Sequence, residues 1–157
     1  MLESGYQSKI IKGIESIGGV AINGTYSVSG EADLQCGWPH TDTESRDRKY
    51  PDNIKHNLVV MHGSVVLDEL DEEFTTLLHL AVEVKTEEDY HRVMKCINSD
   101  YSLNGKTGLK KHEPMQMAKI QRNRARGGMA LVAYSFEQVK EYVDGIIESK
   151  NRRTQRL

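Results

Sequence analysis

Residues 77–86 read LLHLAVEVKT, an apolar run typical of a buried β-strand that nevertheless contains two charged residues. These residues, Glu83 and Lys85, lie two positions apart, so their side chains point to the same face of an extended strand. A charge on a mostly buried strand costs free energy unless it is paired or binds a ligand. This strand is therefore the first candidate for a functional element in the chain.

Alternation along the strand gives its two faces different characters. Leu80, Val82 and Val84 form the face that is predicted to lie against the core, while Glu83 and Lys85 share the opposite face. One interpretation is an ion pair on a solvated face, which implies no function. The other interpretation requires a partner for Glu83 elsewhere in the chain.

A second acidic residue is a candidate for that partner. Asp33 ends the motif GEAD (30–33) on an earlier predicted strand, and it reaches Glu83 if the two strands pair. Two carboxylates held close together repel, so one is protonated or a cation lies between them. Mg²⁺ takes such oxygen ligands, and we expect Mn²⁺ to substitute for it. Beside that ion, Lys85 would hydrogen-bond a water molecule or a substrate phosphate, which suits phosphodiester hydrolysis.

The length of 157 residues suits one compact domain, which we assign to residues 1–150, followed by a basic tail at 151–157. The chain lacks a run of about 18 apolar residues and an apolar signal core, so the sequence predicts a cytoplasmic protein with no membrane span. Cys36 and Cys96 lie far apart, which argues against a disulfide framework or a zinc ribbon.

The basic residues are unevenly distributed in a chain whose formal net charge is −2. They cluster in residues 105–112, 119–128 and 150–157, so the C-terminal third could face a polyanion. The alternative is a solvated helix face followed by a frayed tail. The sequence NGKTG (104–108) lacks the preceding glycine that a phosphate-binding loop needs, because Asp100 occupies that position, so we predict no nucleotide cofactor.

Hydrophobic periodicity and capping signals predict a mixed β-sheet flanked by helices, of the α/β (α+β) class. Helices are predicted over 2–19, 86–98, 113–128 and 135–150, and polar loops over 39–57 and 99–112. Strands are predicted over 20–30, 31–38 and 129–135 and around Glu83, with a hairpin or broken strand over 58–70. The order is roughly α-β-β-β-α-α-β-α.

Three features together resemble the PD-(D/E)xK nuclease superfamily, and most closely its virus-type replication-repair nuclease (VRR-NUC) domain, which is common in phages. The triplet EVK (83–85) follows Asp33, and GEAD stands where that family has Gly-x-Pro-Asp. The segment MQMAKIQRNRARGGMALVAYSFEQV (115–139) supplies a glutamine-bearing helix, a Gly-Gly stop, a strand and a further helix. The resemblance covers most of residues 3–143 and implies a restriction-endonuclease-like fold with an insertion at about 37–79.

The resemblance also assigns roles to residues. It implies that Asp33 and Glu83 are metal ligands, together with the Val84 carbonyl, and that Lys85 is the catalytic lysine. It implies that Gln116, rather than Gln121, helps to organise the site. It also implies that Glu3 on the first helix approaches the metal through water. Glu31 departs from the family pattern and is either an additional acid near the site or an exposed side chain.

Contacts to DNA are predicted from the basic residues around the helix 113–128. Lys119, Arg122 and Arg126 share one face of that helix, whereas Arg124 diverges from Arg122 by about 200°. With Lys110 and Lys111 in the preceding loop they would form a track for backbone phosphates. A solvated helix face is the alternative.

The sequence thus predicts a small Mg²⁺-dependent DNA endonuclease. By resemblance it would be phage-encoded, act in the host cytoplasm, prefer branched DNA such as four-way junctions, and form a homodimer or higher homo-oligomer. One alternative is a sequence-specific endonuclease of the homing or restriction kind that uses residues 37–79 to read bases. A second alternative is a non-catalytic DNA-binding protein that retains the fold.

Overall fold

The strand that contains Glu83 is the longest in the structure and lies at the centre of its sheet. The computed structural model describes residues 2–23, 32–41, 56–61, 64–69, 75–105 and 108–155. The elements in chain order are α1 (Glu3–Ser16), β1 (Val20–Asn23), β2 (Leu34–Thr41), β3 (His56–Met61), β4 (Ser64–Glu69), β5 (Thr75–Val84), α2 (Glu87–Met94), α3 (Glu113–Ala125), β6 (Met129–Ala133) and α4 (Phe136–Gln155). The predicted mixed α/β class is confirmed.

Six strands within the described ranges form one mixed sheet in which β5 has neighbours along both edges. On one edge β2 pairs antiparallel with β5, and β1 pairs antiparallel with β2. On the other edge β6 runs parallel to the C-terminal half of β5, and β3 runs parallel to its N-terminal half. The β3–β4 hairpin thereby extends the sheet away from the helices α2 and α3, which connect β5 to β6.

The face of β5 that was predicted to lie against the core is fully buried. Leu80, Val82 and Val84 have no exposed surface, and their cross-strand neighbours on β2 include Leu34 and Cys36, which are equally buried. Burial of such side chains contributes about 25 cal/mol for each Å² of apolar surface removed from water. This face is where the hydrophobic core of the sheet lies.

Helices α1 and α4 cover that core face. Trp38 continues the apolar row of β2 and stacks on Phe136 at the start of α4, with ring centroids 5.9 Å apart. Gly13 in the last turn of α1 lies directly against the same phenyl ring. Trp38 is 4% exposed, which agrees with the packing role that its position in the strand suggests.

Helix α2 begins where the sequence predicts. Thr86 is its N-cap, and the Thr86 hydroxyl accepts a hydrogen bond of 3.1 Å from the backbone N–H of Asp89. Acidic residues occupy the first turn, where the helix dipole favours negative charge. The cap fixes the direction in which the chain leaves β5, one residue after Lys85.

Among the described residues, side chains rather than a further strand lie along the free edge of β6. The hydroxyl of Tyr142 accepts a hydrogen bond from the Ala130 N–H at 3.2 Å, and the hydroxyl of Tyr101 accepts one from the Val132 N–H at 3.0 Å. The guanidinium of Arg124 lies between the two tyrosine rings, 4.4 and 4.6 Å from their centroids. These groups occupy the donors that an added strand would otherwise use.

Several boundaries differ from those predicted. Strand β2 runs to Thr41, so the first residues of the predicted loop 39–57 are strand, and β3 already begins at His56. Pro39 is tolerated in β2 because it lies beyond Gly37, the last residue paired with β1, so its missing N–H donor deprives β1 of no hydrogen bond. Strands β2 and β5 therefore extend into both ends of the predicted insertion 37–79.

At the C-terminus, α4 continues to Gln155, into the predicted basic tail 151–157. Four other predicted features lie outside the described residues: Glu31, the second half of the strand 20–30, most of the loop 39–57, and the turn at 62–63. None of the helices in the described ranges is both long and apolar enough to cross a membrane.

Two glycines in helices provide a test of the packing between α1 and α4. An added Cβ at Gly13 would overlap the ring of Phe136, whereas one at Gly145 in α4 would have nothing within 4 Å. Helix propensity alone favours alanine over glycine by about 1 kcal/mol at both positions. We expect Gly145→Ala to stabilise the protein by about 0.5–1 kcal/mol, and Gly13→Ala to destabilise it by about 1–3 kcal/mol.

Urea unfolding of both variants measures this difference, with Gly145→Ala as the matched control. Equal stabilisation by the two substitutions would contradict the close contact between α1 and the Phe136 ring.

Candidate active site

The register of β2 and β5 brings Asp33 and Glu83 together. Leu34 pairs with Val82, so one further step along the antiparallel ladder places Asp33 opposite Glu83. At this position a side chain contacts the backbone of β5: Asp33 Oδ2 accepts a hydrogen bond of 2.9 Å from the backbone N–H of Val84. The strand pairing that the prediction required is therefore present, and it fixes the Asp33 carboxylate against the end of β5.

Glu83 is a buried acid with an unsatisfied oxygen. Its exposure is only 2%, and its Oε2 atom is buried with no hydrogen-bond partner in the part of the chain that the structure describes. Burial raises the pKa of Glu83 well above its usual range, and the nearby Asp33 carboxylate raises it further. Lys85 acts in the opposite direction without cancelling these effects. In the absence of a cation, this carboxyl group favours its protonated form, in which it can donate a hydrogen bond to the Asp33 carboxylate.

Lys85 is also buried, at 9% exposure, so the interpretation of an ion pair on a solvated face is wrong. Its Nζ lies 3.2 Å from Gln116 Oε1 and 3.3 Å from Glu113 Oε2, but 3.8 Å from Glu83 Oε1. Gln116 on α3 is thus the predicted glutamine that the structure brings to Lys85. The ammonium group lies nearer to α3 than to the carboxylate on its own strand.

Glu113 and Arg92 complete the surroundings of Lys85 and were missed from the sequence. Glu113 is 2% exposed, and Arg92 donates to both of its carboxylate oxygens, at 2.7 and 2.8 Å. Burial alone would raise the pKa of Glu113, but the hydrogen bonds from Arg92 and from the Lys110 N–H, with the nearby positive charges, lower it to about 2. The available signal was helical spacing, because Glu113 lies three residues before Gln116.

Glu3 lies near the same group, at the start of α1. It is half-buried, and burial raises its pKa, as does the charge of Asp33, while Lys85 lowers it. Helix α1 therefore delivers a third acidic residue to the surroundings of Asp33 and Lys85. Glu31, the other acid that the sequence suggested, lies outside the described residues.

The described residues contain no group of three or more His, Cys, Asp or Glu side chains arranged to hold a metal ion. The predicted acidic ligands for a metal ion are therefore the pair Asp33 and Glu83, and the predicted Val84 carbonyl would add a further oxygen. Cys36 adds no nucleophile, because burial raises the pKa of its thiol to about 12.

Four of the five basic residues predicted to contact DNA are exposed, and Lys119 is half-buried. Lys110 lies near the site: its ammonium is 3.7 Å from Asp89, and its charge acts on Glu3. Arg124, which the helical angle excluded from this set, is held between two tyrosine rings and donates to the Ala130 carbonyl at 2.6 Å. Its role is structural.

In comparisons with protein-family models, curated proteins and solved structures, the chain has no match. The resemblance to the VRR-NUC domain therefore stays a prediction, and a function has to be inferred from the geometry of the site.

The raised pKa of Glu83 predicts a specific dependence of stability on pH in a buffer that contains a chelator. The unfolded chain ionises Glu83 at a lower pH than the folded chain does, so the wild-type protein loses stability as the pH rises above the usual range of a glutamate. Glutamine does not titrate. The stability of Glu83→Gln relative to wild type should therefore increase between about pH 5 and about pH 8.

Urea unfolding at several pH values measures this trend, with the exposed Glu137→Gln in α4 as the control. A difference between Glu83→Gln and wild type that does not change with pH would contradict a protonated, buried Glu83.

Proposed function

We propose that the chain is a metal-dependent endonuclease that hydrolyses phosphodiester bonds in DNA. The observation that carries the proposal is the arrangement of Asp33, Glu83 and Lys85 at the end of β5. Two adjacent carboxyl groups, one with a buried oxygen that lacks a partner among the described residues, lie beside a buried ammonium group. A buried carboxylate oxygen without a partner is uncommon in folded proteins and calls for an explanation such as a bound ion.

The oxygen atoms at this position fit a hard divalent cation such as Mg²⁺. Asp33 and Glu83 would bind it, with the Val84 carbonyl as a further oxygen. A cation here would give Glu83 Oε2 the partner that the described residues do not supply, and would offset the repulsion between the two carboxylates. Mg²⁺ is commonly bound through one or two carboxylates with water in its remaining positions, so two acidic side chains are enough.

When bound, a divalent cation lowers the pKa of a water ligand and polarises a phosphate group. Lys85 contributes a fixed positive charge beside that position. Gln116 and Glu113 are within hydrogen-bonding distance of its ammonium, whereas Glu83 at 3.8 Å is not. An ammonium has three donors, so one is left to orient a water molecule or to bind a phosphate oxygen as negative charge develops.

The topology supports the restriction-endonuclease-like fold in this proposal. Strands β1, β2 and β5 are antiparallel neighbours, and β6 is added parallel to β5 after the connection through α2 and α3. This arrangement brings residues from the start of α1, the start of β2, the end of β5 and α3 to one end of the sheet. Ligands commonly bind at such an end, where several elements terminate.

DNA is the proposed substrate because basic residues flank the site. Lys110 and Lys111 precede α3, and Lys119, Arg122 and Arg126 lie along one side of it, about 60–120° around the helix axis from Gln116, which contacts Lys85. Branched DNA and a homodimer are part of the proposal through the family resemblance. We do not propose a dimer in which a strand of a second copy pairs with β6, because side chains occupy the N–H donors along that edge.

The first test is Mg²⁺-dependent cleavage by active-site variants. Asp33→Asn, Glu83→Gln and Lys85→Ala should each lower the cleavage rate by roughly 100-fold or more, because each removes a proposed ligand or the stabilising charge. The control is Lys140→Ala, which removes an exposed lysine on α4 that pairs with Asp144. Gel assays on labelled four-way junctions, flaps, single strands and linear duplex measure cleavage, and circular dichroism checks folding.

A wild-type protein that cuts none of these substrates with Mg²⁺ or Mn²⁺ would refute the nuclease proposal. Binding of DNA without cleavage would then favour a non-catalytic DNA-binding protein. Cleavage at one defined site in linear duplex, without preference for junctions, would favour a sequence-specific endonuclease.

The second test concerns the basic side of α3. The double variant Arg122→Ala/Arg126→Ala should bind DNA more weakly on every sequence. The slope of log K against log salt concentration should become less steep by about one for each phosphate that the variant no longer neutralises. Lys12→Ala/Lys140→Ala removes the same charge from exposed positions on α1 and α4 and is the matched control. Titrations by fluorescence anisotropy at several salt concentrations measure both quantities. Equal weakening by the two double variants would indicate a general charge effect and contradict a specific track on α3.

A further inference from the structure

Glu113 is a buried carboxylate that the proposed metal ligands do not include. It is the first residue of α3, with an exposure of 2%, and it lies one helical turn before Gln116. A carboxylate in such a position needs compensating donors, because burial of an unpaired charge is costly. Its partners therefore indicate what the residue does.

Three donors fix the Glu113 carboxylate. Arg92 on α2 binds both oxygens, and the backbone N–H of Lys110 donates to Oε1 at 2.5 Å. Arg92 is itself fixed, because it donates to the Gly108 carbonyl at 2.6 Å and to Asp89 at 3.3 Å. A bidentate arginine–carboxylate pair has little freedom to rotate. The position of Glu113 is thus set by α2 and by the loop before α3.

From this fixed position Glu113 reaches Lys85. The distance from its Oε2 to Nζ is 3.3 Å, shorter than the 3.8 Å from Nζ to Glu83 Oε1. Gln116, on the same side of α3, accepts from Nζ at 3.2 Å. The two α3 side chains therefore hold the ammonium group away from the carboxylate that shares its strand.

We propose that Glu113, fixed by Arg92, is a positioning residue that holds Lys85 on the α3 side of the site, so that Glu83 stays open to a divalent cation. Without Glu113 the nearest carboxylate to Lys85 is Glu83, and an ion pair between them would compete with the cation. The consequence for cleavage rests on the proposed function, whereas the position of Lys85 does not.

The test uses Glu113→Gln, which keeps the size of the side chain and one acceptor but removes its charge. Arg92→Lys is the second variant: it keeps the positive charge but cannot bind both carboxylate oxygens in the same bidentate manner. Asp144→Asn is the control, because it removes the carboxylate of a 2.6 Å ion pair with Lys140 on the surface of α4. Thermal unfolding identifies the variants that fold.

Two readouts do not depend on cleavage. The ¹³Cε resonance of Lys85 in selectively labelled protein, assigned with Lys85→Arg, should shift in Glu113→Gln and not in Asp144→Asn. The affinity for Mn²⁺ alone, measured by electron paramagnetic resonance, should fall roughly 10- to 100-fold in Glu113→Gln, the range found for residues that orient metal-site groups. Arg92→Lys should change both quantities in the same direction by a smaller amount.

A third readout is cleavage of the panel substrate that the wild type cuts fastest. Glu113→Gln should lower kcat roughly tenfold or more with little change in KM, because the DNA-contacting residues are intact. If the wild type cuts no DNA, the nuclease proposal fails while the Lys85 resonance and Mn²⁺ binding still decide this inference. An unchanged Lys85 resonance, or unchanged Mn²⁺ affinity, in a folded Glu113→Gln protein would overturn it. If Glu113→Gln does not fold, the same two measurements on Arg92→Lys decide.

Discussion

The antiparallel pairing of β2 with β5 is the constraint on which the rest of the site depends. A strand presents alternate residues to opposite faces, so a shift of register by one residue would move Asp33 to the wrong face of the sheet. The buried pairs between Leu34 and Val82 and between Cys36 and Leu80 oppose such a shift, because it would expose the apolar face. The hydrophobic core thereby determines which carboxylate lies opposite Glu83, although the core side chains of β5 point to the opposite face of the strand from Glu83.

The balance of charge at this end of the sheet is the physical basis for the proposed cation. Glu3, Asp33, Glu83 and Glu113 bring four carboxyl groups together, while Lys85 and Arg92 are the buried or half-buried cations beside them. Arg92 binds Glu113, so Lys85 is the buried cation beside the remaining acids among the described residues, and Lys110 adds a positive charge near Glu3. A proton on Glu83 is one way to lower the repulsion, and a divalent cation is another. The same burial that raises the pKa of Glu83 would thus couple release of its proton to binding of the proposed cation.

The sequence was sufficient for those parts of the site that follow from local periodicity. Alternation in LLHLAVEVKT identified the core face of β5, the cap at Thr86 placed α2, and the spacing around Gln116 placed α3. Helical spacing placed Glu113 on the side of α3 that carries Gln116, but sequence could not reveal its pairing with Arg92, which is 21 residues away in the chain. It also misplaced the end of β2, because a proline usually terminates a strand, and only the short length of β1 leaves room for Pro39.

The closed edge of β6 connects the fold to the precision of the site. Arg124 projects from α3, lies between Tyr101 and Tyr142, and donates to the Ala130 carbonyl of β6. The contact therefore ties the last turn of α3 to the strand that runs beside β5. At its first turn the same helix carries Glu113 and Gln116, which contact Lys85 beyond the end of β5. A helix anchored to the sheet at both ends cannot slide along it without breaking one set of contacts. The aromatic and arginine cluster at β6, although remote from the carboxylates, thus helps to set the position of the Lys85 ammonium.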